Sequence, residues 1–171
     1  MSFQNFIAQQ QDKSYTTNYH NSNGGTIVCE ERASKYVYKY KSGETLLKLH
    51  VDGGLISDQN ILKCDYLLLN YTTINEKTCY HSIFIELKGS DLTHACKQIW
   101  TTIENLGNDL KGSKLHARIV LSKVPKIDIQ VNQLKESLMK KYQCLLYYQS
   151  RFMEEESDQD GYPSHSQHKG N

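Results

Sequence analysis

An acidic and a basic residue stand two positions apart at the end of an apolar segment. The segment reads SIFIELK and covers residues 82–88. Because successive side chains of a strand point to opposite faces, Glu86 and Lys88 share one face. Burying such groups without partners is costly, and core packing does not explain them. The pair therefore indicates a binding site for a cation or a phosphate group.

A second carboxylate, Asp65, lies upstream at the start of another apolar segment. Two carboxylates on neighbouring strands, the backbone carbonyl of Leu87 and water would form the all-oxygen site that Mg²⁺ or Mn²⁺ prefers. Such a metal polarises a phosphate and lowers the pKa of a bound water, while Lys88 would orient that water or stabilise the developing charge. The alternative is a solvated Glu86–Lys88 ion pair worth under about 1 kcal/mol, with Asp65 ending a turn.

This arrangement resembles the core of the PD-(D/E)XK nuclease superfamily. An aspartate (Asp65) opens a central strand, an apolar strand ends in Glu86-Leu87-Lys88, and a helix follows. The resemblance covers roughly residues 44–121. It implies a restriction-endonuclease-like fold, a Mg²⁺ (or Mn²⁺) cofactor and endonuclease activity, with DNA favoured over RNA as the substrate. It also implies a helical glutamine that positions substrate or the lysine, and Gln98 stands where that glutamine is expected.

Members of the superfamily often carry a further acidic residue upstream. Glu30, Glu31, Glu44 and Asp52 are candidates here, and we prefer Glu44 and Asp52 because they lie nearer to Asp65 in the sequence. These two are the candidates for an additional metal ligand.

Several residues are candidates for contacts with nucleic acid, namely Lys97, Trp100, Lys111, Lys114 and Arg118. Basic side chains neutralise phosphates, and the Trp100 ring could stack on a base. The alternatives are a solvated basic surface and a tryptophan that packs in the core.

Two Cys/His pairs flank the strand that carries Glu86 and raise zinc as another possibility. They are Cys79-x-His81 and His94-x-Cys96. Alternation puts the first pair on the strand face opposite Glu86, and residues i and i+2 of a helix diverge. The spacing therefore disfavours a closed zinc site.

The elements that position these residues can be predicted from hydrophobic periodicity. Segments rich in β-branched and aromatic residues predict strands over 26–30, 35–40, 45–51, 64–71 and 79–87, with a hairpin turn at 41–44. After Gly89 the apolar period lengthens, which predicts a helix from an N-cap at Ser90 to Gly107. A strand over 115–121, a helix over 128–142 and a strand over 144–148 follow. The order predicts an α/β fold: a mixed β-sheet with an antiparallel N-terminal meander and flanking helices.

The chain has 171 residues, enough for one domain with a sizeable core. We expect this domain to span residues 1–150, with a loosely ordered segment over 1–25 that includes a short helix at 3–11. Residues 151–171 are acidic and poor in apolar partners, which predicts a disordered tail. The 5 cysteines lack a C-x-x-C spacing, and this indicates free thiols. Without a membrane-spanning run or a signal peptide, we expect a cytoplasmic protein with no membrane partner.

Two functional hypotheses remain open at this point. The leading one is a divalent-metal-dependent nuclease that hydrolyses phosphodiester bonds, with nucleic acid as its partner and DNA favoured over RNA. A small domain offers little recognition surface, so we expect a homodimer or a subunit of a larger complex. The alternative is a non-catalytic module of nuclease-like fold that binds a protein partner or nucleic acid. The formal net charge of +1 does not separate the two.

Overall fold

The computed structural model describes residues 2–123 and 129–165. Within these ranges the chain forms three helices and two mixed sheets, so the predicted α/β class is confirmed. The helices are α1 (Phe3–Gln10), α2 (Leu92–Leu106) and α3 (Ile129–Tyr142). The strands are β1 (Thr16–His20), β2 (Gly25–Glu31), β3 (Ser34–Tyr40), β4 (Thr45–His50), β5 (Tyr66–Ile74), β6 (Lys77–Lys88), β7 (Lys114–Leu121), β8 (Leu145–Ser150), β9 (Phe152–Ser157) and β10 (Pro163–His165). No helix of the described residues is long and apolar enough to cross a membrane.

The larger sheet has six strands in the order β1-β4-β5-β6-β7-β8. The pairs from β1 to β6 are antiparallel, whereas β6, β7 and β8 run parallel. Parallel neighbours need crossover connections, and α2 and α3 supply them. The apolar residues of all three helices pack in one cluster with one face of this sheet, which includes Leu67, Phe84 and Ile119.

The smaller sheet covers the opposite face and has the order β10-β9-β3-β2. Its inward side chains, such as Ile27, Tyr36 and Met153, form a second cluster with Ile83 and Ile85 of β6. Strand β6 is therefore buried on both faces, which explains its nearly continuous apolar run. The predicted alternation of β6 is correct, because Phe84 faces the helices and Ile83, Ile85 and Leu87 face the smaller sheet.

The predicted hairpin turn at residues 41–44 joins two sheets instead of two paired strands. Strand β3 pairs with β2 and β9, while β4 pairs with β1 and β5. The antiparallel meander therefore consists of β4, β5 and β6, with β1 added at the edge. The N-cap of α2 is Asp91 and not Ser90, since the Asp91 carboxylate accepts a hydrogen bond from the backbone N–H of His94 at 2.9 Å.

The described residues near both ends of the chain are more ordered than their composition predicts. The helix predicted near the N-terminus is present as α1, and its residues Phe3, Phe6 and Ile7 are buried. Residues 16–20, predicted as a loop within a loosely ordered segment, form β1 on the edge of the larger sheet. Polar residues suit this position, because an edge strand pairs on one side only and faces solvent on the other.

The prediction of a disordered acidic tail is corrected for residues 152–165. They form β9 and β10, and β9 pairs in parallel with β3. Its alternating residues Met153, Glu155 and Ser157 are buried. The charge of Glu155 is compensated by Arg118, whose Nε donates to the Glu155 carboxylate at 2.7 Å. Residues 166–171 lie outside the described part of the chain.

Candidate active site

Asp65 and Glu86 lie side by side on the helix-facing side of the larger sheet. Strands β5 and β6 pair with Tyr66 opposite Ile85, which brings the preceding Asp65 beside Glu86. The Asp65 Oδ2 atom accepts a hydrogen bond from the backbone N–H of Leu87 at 2.7 Å. Lys88 ends β6, and its Nζ lies 3.6 Å from the Glu86 Oε1 atom. The structure thus brings together the two carboxylates and the lysine predicted from the sequence.

These groups line a cavity of about 490 Å³ at the end of β6. Its walls come from four parts of the fold: the β2–β3 turn, the segment after β4, the ends of β6 and β7, and α2. The lining residues are Glu31, Arg32, Ala33, Ser34, Asp52, Asp65, Glu86, Leu87, Lys88, Gly89, Gln98 and Ser122.

Gln98 enters this cavity from α2 and also fixes the segment that carries Asp65. Its Nε2 donates to the backbone carbonyl of Lys63 at 2.8 Å. One turn further along the helix, the Thr102 hydroxyl accepts from the backbone N–H of Cys64 at 2.9 Å. Two consecutive residues before Asp65 are therefore held by α2, so Gln98 does not simply face solvent.

Two buried acceptor atoms in this cavity have no hydrogen-bond partner among the described residues. They are Glu86 Oε2 and Gln98 Oε1. The Glu86 side chain is only 1% exposed, so bulk water does not satisfy its carboxylate. Unsatisfied buried oxygens are rare in folded proteins and call for a donor or a cation. The Gln98 amide oxygen and the ionised form of Glu86 are acceptors, and they fit a hard cation, which takes carboxylate and amide oxygens as ligands.

The electrostatic environment of the two carboxyl groups also favours a bound cation. Burial, with a smaller contribution from the Asp65 charge, raises the pKa of Glu86 to about 9, and Lys88 only partly opposes this. Burial also raises the pKa of Asp65 to about 6, against the hydrogen bond from Leu87. The contact between Glu86 and Lys88 is therefore too weak to keep Glu86 ionised at neutral pH. A bound cation would reverse this, since a close positive charge favours the ionised carboxylate.

No histidine or cysteine is among the described residues that line this cavity. The described residues contain no group of three or more His, Cys, Asp or Glu side chains placed to hold a metal ion. The two Cys/His pairs do not come together: Cys96 is buried in the helix-side core, whereas His81 contacts His116 on the other side of the sheet. Any metal would rest on the Asp65 and Glu86 carboxylates, with further oxygens from Gln98, the Leu87 carbonyl or water.

The candidates for the upstream acidic residue differ in their position relative to the cavity. Glu44 is wrongly placed, because it lies at the opposite end of β4 from Asp52 and accepts a hydrogen bond from the backbone N–H of Lys41 at 3.2 Å. Asp52 does line the cavity, and its Oδ1 lies 3.3 Å from the Lys63 ammonium. Glu31, which the sequence did not favour, lines the cavity too, and its charge contributes to the raised pKa of Asp65.

None of the predicted nucleic-acid contacts is among the residues that line the cavity. Lys114 pairs with His81 and Leu121 with Lys88, so Lys114 is separated from the site by the length of β7, roughly 23 Å. Lys111 precedes that same distant end. Lys97 borders a groove toward α3, and the Trp100 ring packs edge-on against Tyr142 at 5.5 Å. Arg118, the remaining candidate for a contact with nucleic acid, is fully buried and forms an ion pair with Glu155.

Sequence reasoning missed the contribution of the smaller sheet to this cavity. The β2–β3 turn carries Arg32 and Ala33 into the lining, and the Ser34 hydroxyl donates to the backbone carbonyl of Lys88 at 3.2 Å. No local pattern marks these residues, because their place depends on how the two sheets pack. Ser122 was missed as well, although its position at the end of β7 beside Lys88 follows from a parallel pairing.

Comparison with known proteins adds no relative to this description. The chain matches no protein-family model, no curated protein and no solved structure. The functional assignment therefore depends on the geometry and electrostatics of the cavity.

Proposed function

We propose that this protein is a divalent-metal-dependent nuclease of the PD-(D/E)XK type, with a restriction-endonuclease-like fold. It hydrolyses phosphodiester bonds, with DNA favoured over RNA. The observation that carries the proposal is the pair of unpartnered buried acceptors, Glu86 Oε2 and Gln98 Oε1, in a cavity that also holds Asp65 and Lys88.

The cavity suits a cation and a phosphate group together. Its floor presents oxygen acceptors, which favour Mg²⁺ or Mn²⁺, and Lys88 supplies a positive charge beside them. A site for a neutral ligand would have no use for a carboxylic acid that burial holds in an unfavourable environment beside a lysine. A volume of about 490 Å³ also exceeds what one ion requires, and it leaves room for water and a phosphate.

Each residue has a defined task in this proposal. Asp65, Glu86 and the Gln98 amide oxygen would hold Mg²⁺ or Mn²⁺, which when bound supplies Lewis acidity and a lowered pKa for a water molecule. The Leu87 N–H orients the Asp65 carboxylate. A bound cation would favour the ionised form of Glu86, whose proton would pass to solvent. Lys88, 30% exposed, donates to the attacking water or to the phosphate oxygen that gains charge.

The experiment is cleavage of labelled single-stranded and double-stranded DNA and RNA with Mg²⁺, Mn²⁺ or EDTA. We expect metal-dependent cutting that the Glu86→Ala and Lys88→Ala variants lose. Glu136→Ala is the matched control, because this exposed carboxylate lies on α3 outside the cavity. Cleavage that survives in Glu86→Ala, or that persists in EDTA, would contradict the proposal.

One observation favours the non-catalytic alternative, a nuclease-like module that binds a protein or nucleic acid. Glu31 and Asp52 also line the cavity, but the described residues contain no group of three or more His, Cys, Asp or Glu side chains placed to hold a metal ion. In that case Glu86 would stay protonated and the cavity would bind no Mn²⁺. Calorimetric titration separates the candidates: binding that Glu86→Gln abolishes supports the nuclease, and an absence of binding supports the module.

A further inference from the structure

Three basic residues belong to segments that border the acidic cavity, where the two sheets meet. Arg32 is in its lining, and Lys123 directly follows Ser122, another lining residue. Arg151 lies between β8 and β9, and its backbone N–H donates to the carbonyl of Leu121. All three side chains are exposed. We call Arg32, Lys123 and Arg151 the basic rim.

Backbone hydrogen bonds fix the segments that carry the rim. Arg151 bridges the sheets, because its carbonyl accepts from the backbone N–H of Lys35 at 2.9 Å while its own N–H bonds to β7. The Ser122 N–H donates to the Lys88 carbonyl at 2.8 Å, which ties the segment before Lys123 to the site strand. The rim is thus built on the same framework that holds Lys88.

The rim residues have no ion-pair partner within residues 2–123 and 129–165, whereas Lys35, Lys39, Lys63, Lys88 and Arg118 each have one, as in Lys39 with Glu154 at 2.6 Å. Two of them also have left-handed backbones, with φ of 52° at Arg32 and 66° at Arg151. Glycine or asparagine would adopt this conformation at lower cost, and a strained non-glycine residue costs roughly 1 kcal/mol or more. Turns that only reverse the chain do not need arginine there.

Asp65 and Glu86 form an acidic floor of the cavity, and the exposed charges around it are the carboxylates Glu31 and Asp52 together with the three cations of the basic rim. An acidic floor alone would repel a nucleic-acid strand, whereas a basic rim attracts the phosphates on either side of the one that enters the cavity. Resting on the proposed function, we propose that the basic rim binds the backbone phosphates of a nucleic-acid strand, in place of Lys97, Lys111 and Lys114, which do not line the cavity.

The test compares two triple variants that remove the same charge. The rim variant is Arg32→Gln/Lys123→Gln/Arg151→Gln, and the control is Lys97→Gln/Lys111→Gln/Lys114→Gln. Glutamine at positions 32 and 151 keeps a non-glycine residue, so backbone strain is unchanged. Binding of fluorescent 20-nucleotide single and double strands of DNA and RNA is followed by anisotropy in EDTA across a salt series. Circular dichroism verifies that both variants fold, and Mn²⁺ titration reports on the cavity floor separately.

We expect the rim variant to bind at least about tenfold more weakly at 0.1 M salt. The slope of log affinity against log salt should decrease by about 2 to 3, because each lost phosphate contact removes about 0.7 to 0.9. The control should retain the wild-type affinity and slope. Equal losses in both variants, an unchanged rim variant, or a wild-type protein that binds none of the strands would overturn the rim proposal. If Mn²⁺ binding and cleavage persist in those cases, the nuclease proposal stands and only the rim is wrong.

Discussion

Replacing Glu86 by glutamine should stabilise the metal-free protein at neutral and alkaline pH. The substitution keeps the size of the side chain and removes its ability to ionise. Burial raises the pKa of Glu86 to about 9, from an ordinary value of 4.5, because the charged form loses its hydration. The folded state therefore holds a proton that the unfolded chain releases. The contribution of Glu86 to the stability of the folded state is therefore fully present below pH 4.5 and is lost progressively as the pH rises toward 9.

The size of the effect follows from the linkage relation. Each pH unit between the two pKa values lowers the free energy of unfolding of the wild-type protein by about 1.4 kcal/mol through this one group. At pH 7 the accumulated loss is about 3 kcal/mol, and it keeps growing toward pH 8.5. Glu86→Gln should recover this amount. Few single substitutions stabilise a protein by so much, which makes the result easy to recognise.

The assay is urea unfolding at pH 6, 7 and 8 in EDTA, followed by the fluorescence of Trp100, the single tryptophan. Glu136→Gln is the matched control, because its side chain is 70% exposed and should leave the pH profile unchanged. The difference between Glu86→Gln and wild type should increase with pH. If the variant is less stable than wild type at pH 8, or if the two profiles run parallel, Glu86 is not a protonated buried carboxyl and the reasoning fails.

Other substitutions test further parts of the structure. Arg118→Met leaves the buried Glu155 carboxylate without its ion-pair partner and should lower the free energy of unfolding in urea by about 3–5 kcal/mol. The double variant Arg118→Met/Glu155→Leu should regain much of this loss. A loss under about 1 kcal/mol in Arg118→Met would refute the buried ion pair. Burial lowers the pKa of His116 to about 2, so below pH 6.5 the unfolded chain takes up a proton that the folded one does not. Wild type should then lose about 1.4 kcal/mol per pH unit relative to His116→Gln between pH 6 and 4.5, and identical thermal-unfolding profiles would contradict this. Gln98→Leu should weaken Mn²⁺ binding at least about tenfold in calorimetry, because it removes an oxygen and frees the segment before Asp65; unchanged affinity would remove Gln98 from the site.

The parts of the fold that depend on local periodicity could be predicted from the sequence. Alternation in β6 correctly placed Phe84 and Glu86 on one face and Ile83 and Ile85 on the other. The 3.6-residue period after Gly89 located α2, and with it Gln98. Because Asp65 opens the strand that pairs with β6, its position beside Glu86 followed from the same reasoning.

Long-range pairing could not be predicted, since it depends on partners distant in sequence. The sequence near residues 152–157 does not indicate that this segment pairs with β3. An acidic segment is predicted to be disordered unless its ion-pair partner is known, which here is the buried Arg118. Glu44 lies far from Asp65 for a related reason: the antiparallel pairing of β4 with β5 brings the end of β4, which Asp52 follows, to Asp65 and leaves Glu44 at the opposite end. Arg32 reaches the cavity only because the smaller sheet packs over β6.

The measurement that tests the central claim most directly is proton release on Mn²⁺ binding. Titration calorimetry at pH 7, in two buffers of different ionisation enthalpy, counts the protons that leave as the metal binds. If the cation binds to Asp65 and Glu86, the raised pKa of Glu86 predicts about one proton released per Mn²⁺, and Glu86→Gln should abolish both the release and most of the affinity. An absence of Mn²⁺ binding, or binding without proton release that Glu86→Gln leaves unchanged, would contradict the assignment of this cavity as a metal-dependent nuclease site.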